Sequence, residues 1–549
     1  MDWLTSLRDQ LPLLLVLSPL IGFFVTLVAS RFEPGLVRTL AISNALCSLC
    51  ILAGLEWRFE LDLAADADII RLAEREIATS DTETGSISEV RRTLDRRRVE
   101  RLCHQWFAVD GTNLFPVLLL VVMTIIVIQR TDSSSDSTRW FIPFVLLFET
   151  ASLGVMTTYD LRAYLILTAT STVIISHLIG QCGNSERRAN AEQFLLTQYC
   201  GGAFVAMGFA MLVVAVPWMK IQDSTNHQSI SWNIASITLE IQKWATRNEL
   251  AYHYVYECFP WMLLVLSVGF AIQAGLFPFH STQISVMSNA QPEIAVLFLA
   301  GTLSASRIGW LRFVMPLAPD LMVSFDGWML IPSLGGAVWG ALRAIAPAES
   351  RQRTAYFFMS ISGFLLLGCY CFTRIGMSGA WLMQQQLTVI VCSILLMTGD
   401  RQTSSDDIGQ RGESADGMRF STRGLLLLAC FPILGFFASS FLIVSELLNE
   451  SLLLAATVFV ISAMIFIVLK LAIDQHDRLE KGVSSNVNRQ WRFKVWYLVM
   501  LSLMIASTVF PGWLLHQCEP EFARVFRRYE QTSSADFAEP AKKDRQSAP

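Results

Sequence analysis

Residues 261–280 read WMLLVLSVGFAIQAGLFPFH, 281–293 read STQISVMSNAQPE, and 294–313 read IAVLFLAGTLSASRIGWLRF. Two apolar runs flank a polar linker, and each is long enough to cross a bilayer, which takes about 20 residues for about 30 Å of hydrocarbon. Gly275 and Pro278 interrupt the first run near its end, with His280 just beyond. A proline at that place removes a helical hydrogen bond and kinks or ends the helix. In lipid the freed carbonyls need protein or water as partners, so this span is expected to face other helices or a wet cavity. The plainer alternative is an ordinary helix end followed by proline.

Composition points the same way. The chain has 549 residues, 53% hydrophobic and 16% charged, against about 25% charged in a soluble domain. Its 35 Phe and 15 Trp suit lipid contact and interfacial belts. The net charge of −4 says little, because in a membrane protein the placement of charges matters more. Fourteen candidate spans follow, with approximate cores at 11–30, 36–56, 112–130, 140–158, 161–180, 194–217, 259–278, 293–316, 325–346, 354–372, 378–399, 422–446, 452–473 and 493–516. The polar start MDWLTSLRDQ has no small-residue cleavage pattern, so the first run is read as a retained span. The expected fold is an all-α polytopic membrane protein. Its parts are an N-terminal group of three spans (1–139) with a charged loop at 57–111, a core of spans four to twelve (140–446), and two last spans with a disordered tail (447–549).

Lys and Arg in the short loops set the orientation. Arg31, Arg38, Arg130, Arg139, Arg187, Arg188, Arg351, Arg353, Arg401 and Arg411 fall on one side and far fewer on the other. That predicts both termini outside, on the periplasmic face of an inner membrane. Within the 57–111 loop, Ser86 and Glu89 form a capping-box pattern opening a short helix with Val90, Leu94 and Leu102 along one stripe. Arg96, Arg97 and Arg98 there read as a solvated face or a site for an acidic partner. The loop at 400–421 and the tail from Glu519 read as flexible. The eleven cysteines suggest no metal site; Cys47 and Cys50 form a lone CxxC inside an apolar span. No Walker loop, no GxGxxG after a strand and no nucleophile triad stands out, and no nucleic-acid partner is implied. No cofactor is expected in this chain, and no catalytic centre of its own.

Three fragments carry a family resemblance. Gly269–His280, GFAIQAGLFPFH, resembles the G-F-A-I-K-x-P-L-F-P-x-H segment of the antiporter-like membrane subunits of respiratory NADH:quinone oxidoreductase (complex I), whose relatives include Mrp-type cation/proton antiporters. Phe107–Leu114, FAVDGTNL, is similar to the G-V-D-G-x-S-L of the M-type subunit. Residues 310–319, WLRFVMPLAP, are similar to its L-L-R-F-x-L-P-L-F-P. The resemblance implies two inverted five-helix repeats, roughly spans four to eight and nine to thirteen. It also implies partnership with other integral membrane subunits, with flavin, iron–sulfur clusters and quinone held by those partners.

The family relays protons through intramembrane charges, and this chain departs from it at the matching positions. Carried over residue by residue, the fifth-span Glu falls on Ala169, the sixth-span Lys on Gln193 and the seventh-span Lys on Gln273. The eighth-span Lys falls on Ser304, the eleventh-span His on Leu387 and the twelfth-span charge on Ser440. The ionisable groups left in or near spans are Glu149, Asp160, Arg162, His177, Glu192, His280, Glu293, Arg307, Arg312, Glu446 and Lys470. Ionisable groups inside a membrane are expensive, which makes their positions informative. The candidate proton path is therefore Glu149, His177, Gln273, His280 and Arg307, with Glu149 the sharpest member. His177, eight residues after Ala169, and Arg307, three after Ser304, are candidate displaced replacements. Arg stays protonated and cannot relay by releasing a proton. The alternatives are a buried, hydrogen-bonded His177 and a Glu149 paired with a neighbouring helix or near an interface. The implied function is an M-type subunit of a proton-translocating assembly, impaired or structural in this copy. Other readings are a membrane partner in non-redox ion or inorganic-carbon uptake, or a non-conducting scaffold.

Overall fold

The computed structural model describes residues 2–31, 34–79, 85–103, 105–131, 136–181, 185–222, 232–247, 249–317, 326–345, 350–399 and 436–452, and parts of 454–526. Long helices dominate. They are α1 (Asp2–Ala29), α2 (Pro34–Thr79), α3 (Gly85–Cys103), α4 (Leu114–Arg130), α5 (Asp136–Thr157), α6 (Leu161–Gln181), α7 (Ser185–Gln222), α8 (Ile234–Arg247), α9 (Glu249–Gln273) and α10 (Ser281–Asn289). Then come α11 (Pro292–Val314), α12 (Asp326–Ile345), α13 (Ser350–Tyr370), α14 (Arg374–Gly399) and α15 (Phe437–Glu450). Among the described residues, eight helices are long and apolar enough to cross a membrane, and Leu114–Arg130, Phe259–Gln273 and Phe437–Asn449 are shorter apolar helices. The protein is an all-α, multi-pass membrane protein.

Two compact units divide the chain. The first holds Met1–Ile174, Gly202–Gly269 and Ile308–Ala318. In it, α1 packs on α2 and α5, and α4 packs on both. The α4 sequence LFPVLLLVVMTIIVIQR is apolar on every side, and a helix apolar all round belongs in the interior. Accordingly Leu120, Val121, Ile126 and Val127 are fully buried. Tyr164, Phe209 and Phe313 stack edge-on, their centroids 4.7–6.0 Å apart. Two isolated bridges, Phe107 to Thr158 and Asp160 to Asn233, tie the loops between helices.

The charged loop differs from its reading. α2 runs unbroken to Thr79, and α3 packs back against it. Arg98 pairs with Asp66, and Arg101 lies 3.8 Å from Asp62, so the basic stripe is partly neutralised by the acidic flank of α2. α8 is a helix the reading missed; it packs on α3 through a face that buries Ile234, Ile237 and Ile241.

The second unit holds Ile175–Gly201, Phe270–Arg307 and Pro319–Pro549. Here α12 packs along α13, α13 on α14 and α14 on α15. The α12–α13 approach is set by glycines: a Cβ on Gly363 meets Ala337 N at 2.3 Å, and one on Gly340 meets Ser360 N at 2.5 Å. The polar "linker" 281–293 is instead helical. α9 stops at Gln273, Gly275 adopts φ +62°, and α10 starts at Ser281, burying Thr282, Gln283, Ile284, Val286 and Met287. A left-handed residue is cheap only for glycine, and a Cβ at Gly275 would meet Gln283 Oε1 at 2.2 Å. Arg351 closes the far end of α10, donating to the carbonyls of Met287 (3.0 Å) and Ala290 (2.5 Å). α11 carries two π-helical turns, Phe298–Leu303 and Trp310–Val314.

The segment beginning at Glu519 is likewise ordered at its start. Residues 511–523 are helical, Phe522 and Phe526 are buried, and Arg374 pairs with Glu519. Phe522 and Phe526, four apart, supply an apolar helical face that the polar sequence around them conceals. The loop 400–421 and Lys470 lie outside the described residues, as do most of the expected spans 452–473 and 493–516.

Candidate functional site

In the first unit, two of the fragments singled out in the sequence meet. The loop before α4 turns on Asp110. Its Oδ1 accepts from Thr112 N (3.0 Å), Thr112 Oγ1 (2.6 Å) and Asn113 N (3.0 Å). This is the local side-chain-to-backbone geometry that Asp supplies in turns. Asn113 Nδ2 donates to Ala108 O and Met156 O. The other Asp110 oxygen, Oδ2, accepts from Tyr159 OH (2.5 Å) and from Arg312 Nη2 (3.0 Å). Arg312 Nη1 donates to the carbonyls of Met156 (2.6 Å) and Thr158 (3.1 Å), and the guanidinium lies 4.5 Å from the Tyr159 ring centroid. Burial by itself raises the Asp110 carboxyl. Arg312, with hydrogen bonds from Thr112, Tyr159 and Asn113, outweighs that and holds it below the ordinary carboxylate range. A charged carboxylate locked to a cation that does not release protons is a clamp, not a relay.

Glu149 sits in the same unit, midway along α5. It is fully buried, and neither carboxyl oxygen has a hydrogen-bond partner among the described residues. Of the ionisable groups with described side chains, Glu149 has the environment most unlike a satisfied structural carboxylate, which accepts several hydrogen bonds as Asp110 does. Ala169 on α6 is half-buried. The hydroxyls of Ser152 and Ser171, 3.1 Å apart, join α5 to α6.

The second unit gathers the polar interior. Gln273 is buried at the end of α9; its carbonyl accepts from Gln198 Nε2 (3.1 Å), and its own Oε1 has no partner among the described residues. His280 is half-buried, stacked on Phe277 with centroids 5.5 Å apart, and its ring lies against the backbone of Pro278. Ser304 is buried and donates to Leu299 O (3.0 Å), five residues back, across the first π turn. Arg307 is also buried. Its Nη1 donates to Gln384 Oε1 and its Nη2 to Ser362 Oγ, both at 2.9 Å, and the Phe358 ring centroid lies 4.9 Å away. Among the described residues none of the acceptors around this cation is a carboxylate; Gln384 and Ser362 solvate it with neutral dipoles.

His177 and Gln193 are exposed, and His177 is hydrogen-bonded to Gln181 four residues on. The buried alternative for His177 is therefore not what the fold adopts. Eight residues overshoot two helical turns by about 80°, enough to carry His177 away from the direction of Ala169. Leu387 is buried and apolar, while Ser440 is half-buried. The polar groups that meet in that region lie one residue earlier: Ser439 Oγ donates to Gln386 Oε1 (2.7 Å), and Gln386 Nε2 donates to Ser507 O (3.1 Å). Sequence reasoning passed over Gln384 and Gln386 because amides carry no charge to flag them. The run Gln384–Gln385–Gln386 inside an apolar span was the available signal. Among the described residues, no group of three or more His, Cys, Asp or Glu could hold a metal ion.

Comparison with known proteins adds to this geometry. The family described as "NADH:quinone oxidoreductase/Mrp antiporter, TM" matches residues 159–466. A Picosynechococcus protein named NAD(P)H-quinone oxidoreductase chain 4 3 is 24% identical over 296 residues, 54% of this chain and 50% of its own length. The NADH-quinone oxidoreductase subunit M of Rickettsia prowazekii is 25% identical over 294 residues, 53% of this chain and 55% of its own. The chain thus spans about half the length of the curated relatives it matches. A chain of respiratory complex I from Thermus thermophilus with bound NADH superimposes with a TM-score of 0.67 at 19% identity, covering 94% of this chain and 99% of that one; at that identity the likeness speaks for the fold.

Proposed function

The chain belongs to the NADH:quinone oxidoreductase/Mrp antiporter transmembrane family, and on that footing we propose that it is an M-type membrane subunit of a complex I-like assembly that does not conduct protons through a series of titrating side chains. Its partners are other integral membrane subunits, and those partners hold the redox cofactors. It lies in the inner membrane with both termini on the outer side.

The observation that carries this reading is that the polar side chains described around Gln273, Ser304 and Gln386 are neutral amides and hydroxyls. Gln273, Ser304, Gln384, Gln386 and Ser439 hydrogen-bond without titrating near neutral pH. Arg307, bonded to Gln384, keeps its proton, as do the buried Arg351 and Arg353 of the same unit. A proton without a titrating stop at the midplane meets a barrier of at least about 3 kcal/mol, a slowing of at least about a hundredfold. Any residual conduction is assigned to Glu149 together with His177, Gln273, His280 and Arg307.

The test is reconstitution in vesicles carrying a pH dye under an imposed potential, beside a conducting family member. The expected result is no flux above empty vesicles, and none from Gln273→Lys alone. Flux is expected only when Gln273→Lys is combined with Ala169→Glu. Robust flux that survives Glu149→Gln and His177→Ala together overturns the assignment. Mild-detergent extraction tests the partnership. Co-purifying integral subunits support it, a large soluble zinc protein redirects it to ion or inorganic-carbon uptake, and a folded, solitary chain removes its support.

A further inference from the structure

α12 carries a cation on its outward face. The helix has 20 residues, which at 1.5 Å per residue makes about 30 Å, the thickness of a hydrocarbon core, so its ends lie at the two membrane surfaces. Only 33% of Trp328–Ile345 is buried, and Ile331, Val338, Trp339 and Leu342 are exposed on it. Arg343 stands in the last turn and is exposed as well. It follows Trp339 by four residues, so the two share a helix face. An arginine this close to a helix end lays its stem along apolar surface and carries its charge out to the headgroup layer, where tryptophan is also at home.

The neighbouring helix completes the arrangement. A Cβ on Gly340 would meet Ser360 N at 2.5 Å and Tyr356 O at 2.9 Å, so α13 passes α12 closely one turn before Arg343. There Arg343 Nη2 donates to Tyr356 OH (3.2 Å), and the guanidinium lies 5.2 Å from the Tyr356 ring centroid. No carboxylate is among the described contacts of this cation. In the sequence from 340 to 356, three arginines stand against one acid, Glu349. The hydrogen-bonding groups are mostly donors. A guanidinium has five N–H groups, of which one is used here; the phenol that accepts it keeps its own O–H, and Trp339 adds an indole N–H. An excess of donors and of positive charge at headgroup depth matches an acceptor-only anion, and a guanidinium takes two oxygens of a phosphate at once.

We infer that Arg343, Tyr356 and Trp339 form a site for the phosphate of an anionic phospholipid, whose tails run down the outward face of α12 along Val338 and Ile331. Basic pockets between membrane helices suit such headgroups. The inference requires the chain to span the membrane and does not depend on what it transports or on which subunits accompany it.

The test extracts the full-length chain in mild detergent, with whatever subunits accompany it, and strips loosely held lipid. Phosphatidylglycerol, or phosphatidylcholine with the same acyl chains, is titrated back, and bound lipids are counted by native mass spectrometry. The expected result is one phosphatidylglycerol held more tightly than any phosphatidylcholine, and weakened about tenfold or more by Arg343→Gln. Arg343→Lys, which keeps the charge and loses the planar fork, should weaken it less, and Tyr356→Phe less again. Glycerol phosphate in excess should not displace it, which separates a lipid from a free phosphate. A photoactivatable phenylalanine analogue at Leu342, irradiated in the native membrane, should give a phospholipid adduct. Equal affinity for the two lipids, an Arg343→Gln titration that superimposes on wild type, displacement by glycerol phosphate, or adducts to another protein alone each overturn the inference. Every variant must first show the wild-type elution profile; should Arg343→Gln fail it, Arg343→Lys and Tyr356→Phe carry the comparison, and wild-type affinity in both overturns the site.

Discussion

Replacing Arg312 by Met removes one half of the most completely buried ion pair in the described structure. Arg312 Nη2 and Asp110 Oδ2 are 3.0 Å apart, with side chains 5% and 9% exposed. At an effective dielectric constant of about 20, that separation gives a gross attraction of about 5.5 kcal/mol. Desolvation of both ions takes back much of it, which is why swapping a whole buried pair for apolar groups is often neutral, whereas removing one partner typically costs about 3–5 kcal/mol. Arg312→Met also removes the guanidinium donor from the carbonyls of Met156, which keeps Asn113 Nδ2, and of Thr158, so its loss is expected in that range. Asp110→Asn is milder: Arg312 keeps both carbonyls and the Tyr159 ring. The double variant should be more stable than the summed losses predict, by about 1–3 kcal/mol of coupling. The assay is unfolding of the purified protein in mixed micelles against SDS, followed by fluorescence of its 15 tryptophans. Additivity of the two single losses within about 0.5 kcal/mol, or a loss below about 1 kcal/mol for Arg312→Met, would falsify the clamp.

Because the folded state holds the Asp110 carboxyl below its ordinary value, the pair stabilises the protein above the unfolded carboxylate pKa of about 3.9, and that contribution fades as pH falls through the folded value. In Arg312→Met the acid-side loss should begin at higher pH, read as a shift of the acid-unfolding midpoint. Gly363→Ala puts a methyl group 2.3 Å from Ala337 N and 2.6 Å from Ser333 O, backbone atoms that cannot swing aside. Overpacking of about 1–3 kcal/mol is expected, and an unchanged unfolding midpoint would show that α12 and α13 separate freely. Orientation is checked with an impermeant thiol reagent on intact cells: a cysteine placed at Ala548 should react and one placed within 400–421 should not, the reverse pattern reversing the topology.

What the sequence determined by itself is the part of the fold set by length and hydropathy. An apolar run of about 20 residues has one inexpensive place to be, so the first six expected spans at 11–30 through 194–217 recur in α1, α2 and α4 to α7, with polar extensions of nine residues at the starts of α1 and α7 and a longer one at the end of α2. Pro278 and Gly275 announced the break between α9 and α10 for the same local reason, since one removes a donor and the other takes a left-handed turn. The polar helix α10, the amphipathic α8 and the extension of α2 were not legible. Their stability comes from packing against other helices, α3 for the extension of α2 and for α8, α13 for α10, and hydropathy does not register a polar face that a neighbour buries. Asp110 and Arg312 could each be seen as family-like residues; that they bond each other across 202 positions was a matter for the tertiary structure. Register was hidden too. A count along the chain marked Leu387 and Ser440, whereas the helices bring Gln386 and Ser439 into contact. A shift of one residue turns a side chain by about 100° around a helix, and only the packing of α14 against α15 decides which side chains meet.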